Sequence, residues 1–281
     1  MGTRLKLKGL YQISRPVNAL TGALAVALGG YVAQTEAWGK VALAAVAVVL
    51  ITAAANAWND YRDIEIDKIN QPHRALPAGL ISPQTAWIFS LVLTGLSLLL
   101  AAFVNLPAFI VAILSSILLY IYSWRLKSTV LVGNATVATI SALSAVFGGI
   151  AAGNAWPSLW LALIIATAIM GREVLKTLAD YEGDLRQHCR TIATAWGKRK
   201  ARVVFYLLAA ATSLIMLLPY LLNQYRPIYA YIVAVGVYPV MVYVIMRVTG
   251  AATGSQLERL SQIMKYDFLI WFLAVLLGAT N

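Results

Sequence analysis

The chain has 281 residues, of which 60% are hydrophobic and only 12% are charged. Soluble domains carry about 25% charged residues, so a soluble protein with a polar surface around its core is excluded. Cys189 is the one cysteine, which excludes an intrachain disulfide and a metal site built on thiolates. The composition therefore predicts an all-α, polytopic membrane protein.

Nine apolar stretches are long enough to cross a membrane, since about 20 helical residues span the roughly 30 Å of hydrocarbon. They are 16–34, 40–58, 84–104, 106–123, 131–153, 156–175, 203–222, 227–246 and 265–280. We predict that these nine transmembrane helices form a single domain over 1–281, bundled around a central cavity.

Basic residues divide unevenly among the segments that join these helices. If the N-terminus is cytoplasmic, 20 of the 22 Lys and Arg residues fall on the cytoplasmic side, and only Lys40 and Arg226 fall outside. Cytoplasmic loops carry an excess of Lys and Arg, so we predict a cytoplasmic N-terminus and an outside C-terminus in the plasma membrane or another internal membrane. The net charge of +11 then reflects an anionic lipid surface and requires no nucleic-acid partner.

Eight of the eleven acidic residues lie in two short stretches, NAWNDYRDIEID after the second helix and GREVLKTLADYEGD after the sixth. Continuing each helix into its acidic stretch places residues three or four apart on one helical face. These residues are Asn56, Asn59, Asp60, Asp63 and Asp67 in the first stretch, and Arg172, Lys176, Asp180 and Asp184 in the second. The likeness, in which Asp60 and Asp180 correspond, predicts two weakly similar halves whose acids converge on one site.

Acids stacked on one face repel each other, and a divalent cation removes that repulsion. Mg²⁺ takes oxygen ligands and is held by one or two carboxylates together with substrate phosphates. Glu65 points off the shared face and is predicted to be a loop acid. The accompanying bases are Arg62, Arg74, Arg125, Lys127, Arg172 and Lys176. Carboxylates for the metal, with cations for the free phosphate oxygens, predict a diphosphate site. A solvated loop in which acids merely balance bases is the alternative.

The two motifs, N-D-x-x-D-x-x-x-D in NDYRDIEID and D-x-x-x-D in DYEGD, resemble those of the UbiA-type family of intramembrane prenyltransferases. The resemblance covers essentially the whole chain. DKINQPHRALPAGLIS and GREVLK are most similar to its digeranylgeranylglyceryl phosphate synthase branch. The resemblance implies Mg²⁺-dependent transfer of a polyprenyl group, here geranylgeranyl, from its diphosphate to a lipophilic acceptor, geranylgeranylglyceryl phosphate.

The resemblance also implies roles for individual residues. Two Mg²⁺ ions would be held by Asp60, Asp63, Asp67, Asp180 and Asp184. Asn59 would orient the first cluster, and Asn18 would face the site from the first helix. The diphosphate oxygens would meet Lys127, Lys176 and Arg74, with Arg62, Arg125 and Arg172 as further substrate-binding residues. Tyr120 and Tyr122 would offer π surface to an allylic cation, although with Trp124 they also fit a membrane-interface belt.

Other functions stay open at this point. The same two motifs would suit an aromatic or tetrapyrrole acceptor, such as homogentisate, hydroxybenzoate or chlorophyllide, and also a terpene cyclase. A transporter would carry charges within the membrane as well. Its site would lie at the midplane, whereas these acids lie at the cytoplasmic ends of helices.

Overall fold

The computed structural model describes residues 3–279, and the side chains of these except at positions 3, 66, 69 and 70. Helices dominate that part of the chain, which confirms the predicted all-α class. The helices are α1 (Thr3–Ser14), α2 (Pro16–Val32), α3 (Trp38–Arg62), α4 (Ile64–Asn70), α5 (Pro83–Val104), α6 (Leu106–Ile121), α7 (Val132–Ala151), α8 (Ser158–Ala179), α9 (Tyr181–Arg186), α10 (Ile192–Trp196), α11 (Lys198–Leu221), α12 (Pro227–Ile232), α13 (Tyr238–Arg247) and α14 (Gly254–Gly278). Two π-helical turns, Tyr122–Leu126 and Val233–Val237, extend α6 and join α12 to α13.

Within residues 3–279, eight helical segments are long and apolar enough to cross a membrane. They are α3, α5, α6 with its π-helical turn, α7, α8, α11, α12 to α13 as one segment, and α14. The first predicted span corresponds to α2, which is apolar but has only 17 residues. Each predicted span therefore corresponds to a helix, and the chain is an integral membrane protein.

The last membrane helix begins well before the predicted position of 265. Its start is capped by Thr253, whose hydroxyl accepts a hydrogen bond from the Gln256 amide nitrogen at 3.3 Å. In return, the Gln256 side chain accepts one from the Thr253 amide at 2.9 Å, which completes a capping box. Glu258 and Lys265 interrupt the apolar pattern inside α14 and hide this start. Lys265, which the sequence places in a cytoplasmic segment, lies within the helix.

Contacts divide the described chain into two compact units. The first contains the residues up to Arg125 together with Ser144–Trp156, and the second contains Leu126–Leu143 together with the residues from Pro157 onward. The first unit has one buried cluster around Val26 and Phe147 and another around Ile13 and Leu76. The second unit is built around a cluster with the members Val174, Leu175, Leu178, Ile192, Phe205, Val244 and Leu257.

In the first unit, α2 and the end of α7 pack at backbone distance because glycines face each other. A Cβ added to Gly148 would lie 1.9 Å from the Val26 carbonyl oxygen. One added to Gly29 would lie 2.0 Å from the Ala145 carbonyl oxygen. Small residues of this kind allow close helix packing in membranes, so this crossing tolerates no side chain at either glycine.

Gly148→Ala therefore tests the crossing. The added methyl group must push α2 and α7 apart, and we expect a loss of about 2 kcal/mol or more of stability. The melting temperature in detergent, measured on the purified protein, should fall.

Gly95→Ala is the matched control, because nothing lies within 4 Å of a Cβ added there. Gly95 also lies within a membrane helix, α5, where alanine is the better helix former. Its melting temperature should hold or rise slightly. Equal melting temperatures for Gly148→Ala and the parent would contradict the close approach of the two backbones.

Candidate active site

The first acidic stretch bends at Asp63 instead of continuing α3 as one helix, which corrects the predicted geometry. Asp63 has φ −94° and ψ 6°, and α4 begins at the next residue. The backbone spacing nevertheless persists across the bend. The Asp63 amide donates to the Asn59 carbonyl at 2.9 Å, and the Asp67 amide donates to the Asp63 carbonyl at 2.8 Å. The acids therefore stay one turn apart along the chain.

All three aspartates of this stretch are buried, with Asp60 4%, Asp63 7% and Asp67 4% exposed. Two arginines compensate them. Arg74 donates to both carboxylate oxygens of Asp67, at 2.7 and 2.9 Å, and lies 3.7 Å from Oδ1 of Asp60. Arg15 donates to the same Oδ1 of Asp60. Two guanidinium groups thus neutralise the Asp60 and Asp67 carboxylates.

Amide side chains hold the remaining groups of this first cluster. Asn59 donates to Oδ2 of Asp63 at 2.9 Å. Asn56 donates to the Ser14 carbonyl at 3.2 Å and so ties the end of α1 to α3. Glu65 points elsewhere, since its exposed side chain pairs with Lys68 at 2.7 Å.

Aromatic rings of α3 and α6 pack against each other. Trp58 packs against Tyr120 and Tyr61, with ring centroids 5.0 and 5.5 Å away. The Tyr120 hydroxyl lies 2.8 Å from both the Ser90 and the Thr94 hydroxyl groups. Tyr120 therefore uses its hydroxyl to join α6 to α5, and presents its ring, not its oxygen, to Trp58.

The second acidic stretch repeats the backbone geometry of the first. Asp180 follows the end of α8 with φ −87° and ψ 5°, and α9 begins at the next residue. The Asp180 amide donates to the Lys176 carbonyl at 2.8 Å, and the Asp184 amide donates to the Asp180 carbonyl at 2.9 Å. The bend at Asp180 corresponds to the bend at Asp63. The predicted match of Asp180 with Asp60 is therefore shifted by one helical turn.

Cations of the second stretch bond to Glu173, which the sequence analysis did not assign to the site. Lys176 donates to its two carboxylate oxygens at 3.1 and 3.3 Å. Arg172 lies 3.5 Å from Glu173 and donates through Nε to the Ser261 carbonyl at 3.1 Å. Glu173 is only 7% exposed, so it serves as the counter-ion for both cations.

The two aspartates of this stretch are consequently undercompensated. Partial desolvation raises the pKa of Asp180, although Lys176 opposes this shift. Desolvation, followed by the negative charge of Asp180, raises the pKa of Asp184 to about 6. A hydrogen bond with Thr191 and the positive charge of Lys127 act in the opposite direction. An added cation would stabilise the ionised form of a carboxylate in this state.

The other predicted substrate-binding residues lie at exposed positions or on the π-helical turn after α6. Arg125 packs 5.6 Å from the Trp124 ring, and Tyr122 lies in the π-helical turn that follows α6. The remaining ones have exposed side chains, namely Asn18, Arg62 and Lys127. Lys127 nevertheless acts electrostatically on Asp180 and Asp184.

The donors of the first cluster fit Mg²⁺ in chemistry, although no group of three or more acidic, His or Cys side chains among residues 3–279 is arranged to hold a metal ion. All of these donors are oxygen atoms, the ligands that Mg²⁺ prefers, and one or two carboxylates are enough beside substrate phosphates. The Arg74 guanidinium already contacts both Asp60 and Asp67. A cation is therefore accommodated at these two carboxylates.

Arg15 is the residue of the first cluster that the sequence analysis missed. In the sequence it stands only among the basic residues of the predicted cytoplasmic side. The sequence feature that could have drawn attention to Arg15 is its place in SRPVNAL, where a basic residue and a proline stand directly before the first apolar stretch. Its role as a partner of Asp60 is revealed only by the contact between them, because the two residues are 45 positions apart in the chain.

A model of the UbiA prenyltransferase family matches residues 16–277. Curated relatives include two named digeranylgeranylglyceryl phosphate synthase. The one from Methanopyrus kandleri is 32% identical over 96% of this chain and 100% of the relative. The one from Methanothermobacter thermautotrophicus is 35% identical over 95% of each.

Solved structures share the fold. One, described as giving insights into the biosynthesis of digeranylgeranylglyceryl phosphate synthase in membranes, has a TM-score of 0.79 and 28% identity over 97% of this chain and 98% of its own. Another, a UbiA homolog from Archaeoglobus fulgidus bound to DMAPP and Mg²⁺, has a TM-score of 0.69 and 20% identity over 94% of this chain and 99% of its own.

Asp184→Asn should stabilise the protein above neutral pH. An acid whose pKa is raised to about 6 on folding favours the folded state while protonated, and this contribution is lost as the pH rises through 6. At pH 7.5 the variant should gain about 1–2 kcal/mol, since solvent screens part of the effect. At about pH 4, near the ordinary aspartate pKa, the gain should vanish. Melting temperatures across this pH range measure both.

Glu182→Gln is the control on the same short helix, because Glu182 is exposed and pairs with Lys198 at 3.0 Å. It should change stability by less than about 0.5 kcal/mol. A loss of stability for Asp184→Asn at pH 7.5 would instead indicate that Asp184 is the partner in a buried ion pair, for which Lys127 and Lys176 are the cations that act on it.

Proposed function

This chain belongs to the UbiA prenyltransferase family, and from that premise we propose that it transfers a geranylgeranyl group from its diphosphate to geranylgeranylglyceryl phosphate. Family membership confirms the predicted enzyme class. The named relatives support this acceptor, because they match the chain over nearly its whole length.

One observation carries the chemistry. Three aspartates, each less than a tenth exposed, follow one another where α3 gives way to α4, and two of them, Asp60 and Asp67, are paired with arginines. Burying an ionised carboxylate costs several kcal/mol unless a partner compensates it. Such an arrangement is costly as a structural element, and it suits a site that exchanges cations and anions during turnover.

Mg²⁺ is the proposed cofactor, with one ion held at each acidic cluster. The ligands would be Asp60, Asp63 and Asp67 in the first cluster and Asp180 and Asp184 in the second. A bound Mg²⁺ supplies positive charge that stabilises the departing diphosphate. The raised pKa values of Asp180 and Asp184 support a need for such charge.

The side chains of the protein bind and orient the diphosphate. Guanidinium groups match phosphate oxygens with paired hydrogen bonds, which suits Arg74 and Arg172. Lysine provides a compact charge, which suits Lys176 and Lys127. Arg62 and Arg125 are proposed as further contacts, and Asn18 as a polar contact from α2. Charge placed where it develops in the transition state is usually the largest catalytic contribution.

The reaction breaks the bond between C1 of the allylic group and the diphosphate oxygen, and the electron pair leaves with the diphosphate. The acceptor hydroxyl oxygen then bonds to C1, and its proton passes to the diphosphate or to water. The cation that develops at C1 needs π surface and no stray nucleophile. The Tyr120 ring, which packs against Trp58, and Tyr122 on the following turn are the proposed π surface. The engaged Tyr120 hydroxyl is not available to attack.

The proposed membrane orientation places the N-terminus and the acidic stretches on the cytoplasmic side and the C-terminus outside. The division of basic residues supports it, since 20 of 22 fall on the proposed cytoplasmic side. A soluble prenyl diphosphate donor made in the cytoplasm would then reach the aspartates directly.

A radiolabelled transfer assay tests the proposed function. Purified protein is given labelled geranylgeranyl diphosphate and, in parallel, geranylgeranylglyceryl phosphate, homogentisate or 4-hydroxybenzoate. We expect product only with the first acceptor, none in EDTA, and full recovery with Mg²⁺. Asp67→Asn should lower the rate by about 10²–10³-fold.

Glu65→Gln is the control for Asp67→Asn, since Glu65 is an exposed acid two residues away, and its rate should match the parent. Product with an aromatic acceptor would move the chain to another branch of the family. A cyclic terpene formed without acceptor would indicate a cyclase, and full turnover in EDTA would rule out the metal.

Cysteine labelling tests the orientation. In a Cys189→Ser background, Trp156→Cys and Arg199→Cys each provide one exposed thiol. An impermeant maleimide added to intact cells should label position 156 and not position 199, because the proposed orientation puts the two positions on opposite sides of the membrane. After permeabilisation both should react. Reversed labelling in intact cells would put the aspartates on the wrong side for a cytoplasmic donor.

A further inference from the structure

Arg15 is held in an unfavourable backbone conformation while it contacts Asp60. It joins α1 to α2 with φ 48° and ψ 66°, in the left-handed region. For a residue other than glycine this conformation is unfavourable, because Cβ comes too close to the following carbonyl oxygen. A following proline, here Pro16, also favours extended backbone at the residue before it. Such strain persists only where the surroundings fix the residue.

Contacts to α3 fix this joint from both sides. The Ser14 carbonyl accepts from Asn56 at 3.2 Å, and the Arg15 guanidinium donates to Asp60. Asn56 and Asp60 are one helical turn apart on the same face of α3. The strained joint therefore delivers one guanidinium group to one carboxylate.

The exposure of these partners is strongly asymmetric. The side chains of Asp60 and Asp67 are 5% and 6% exposed, whereas those of Arg15 and Arg74 are 32% and 31% exposed. The carboxylates thus form an inner layer, and the guanidinium groups lie over them toward solvent. An arginine has five N–H donors, so each can bind an incoming anion on its outer side.

We propose that Arg15 exchanges partners during substrate binding, an inference that rests on the proposed function. In the metal-free chain Arg15 neutralises Asp60. A divalent cation arriving at Asp60 competes for the same carboxylate, and the released guanidinium then binds the oxygens of the diphosphate. No covalent bond changes in this step. When the metal binds without diphosphate, Arg15 competes with it for the Asp60 carboxylate. When diphosphate binds with the metal, Arg15 contributes to binding by contacting the diphosphate oxygens.

This double role predicts effects of opposite sign for Arg15→Gln. Removing the competitor should strengthen binding of Mn²⁺ alone, measured by EPR titration of the purified protein, by about tenfold. Removing the anion partner should weaken binding of geranylgeranyl diphosphate in saturating Mg²⁺ by about tenfold. A merely structural Arg15 would lower the melting temperature and shift both affinities in the same direction.

Arg4→Gln is the matched control, because it removes the same charge from an exposed position on α1, and both affinities should stay unchanged. Arg15→Lys keeps the charge and loses the paired donors, so it should recover part of the diphosphate affinity. In an Asp60→Asn background, Arg15→Gln should no longer strengthen Mn²⁺ binding.

A measurement on the parent protein tests the exchange without a substitution that could disturb folding. Phenylglyoxal modifies free guanidinium groups, and mass spectrometry reports the rate at each arginine. Modification of Arg15 should accelerate several-fold with Mg²⁺ alone and slow again when inorganic diphosphate is added, while Arg4 stays constant. A rate at Arg15 that Mg²⁺ leaves unchanged would overturn the exchange. A parent that binds neither Mn²⁺ nor prenyl diphosphate would overturn the proposed function instead.

Discussion

Buried negative charge is the constraint on which the first unit depends. Asp60 near the end of α3 and Asp67 in α4 are almost fully buried, and ionised carboxylates tolerate this only with well-placed cations. The left-handed joint at Arg15 and the loop that carries Arg74 both supply such cations. The backbone before α2 and after α4 is thus placed so that Arg15 and Arg74 reach the carboxylates that α3 and α4 bury.

The second acidic stretch shares the backbone of the first and differs in its charge balance. Its cations, Arg172 and Lys176, bond to Glu173, so Asp180 and Asp184 keep raised pKa values. The aspartates Asp60 and Asp67 of the first cluster are paired with guanidinium groups, whereas the cations of the second cluster bond to Glu173. Two motifs that look alike in sequence therefore differ in how their aspartates are compensated.

Much of the fold could be predicted from the sequence, because apolar length and the distribution of basic residues are local signals. The nine spans correspond to helices, although the start of α14 was hidden by Glu258 and Lys265, where a capping box outweighs hydropathy. The aspartates could be selected by spacing alone. Their partners could not, since the Arg15 contact with Asp60 and the commitment of Lys176 to Glu173 depend on packing. The bends at Asp63 and Asp180 were missed because helical spacing continues through them.

The glycine crossing of α2 and α7 has a mechanical consequence. The backbones of α2 and α7 already touch at Gly29 and Gly148. They can neither slide nor separate without losing these contacts, so the relative position of the two helices is fixed at this crossing. Any movement that admits a bulky ligand there has to pivot elsewhere. The joint at Arg15 offers no such pivot, because Asn56 and Asp60 tie it to α3. The helix α2 is thus held at both of its ends, by Arg15 at its start and by Gly29 near its finish.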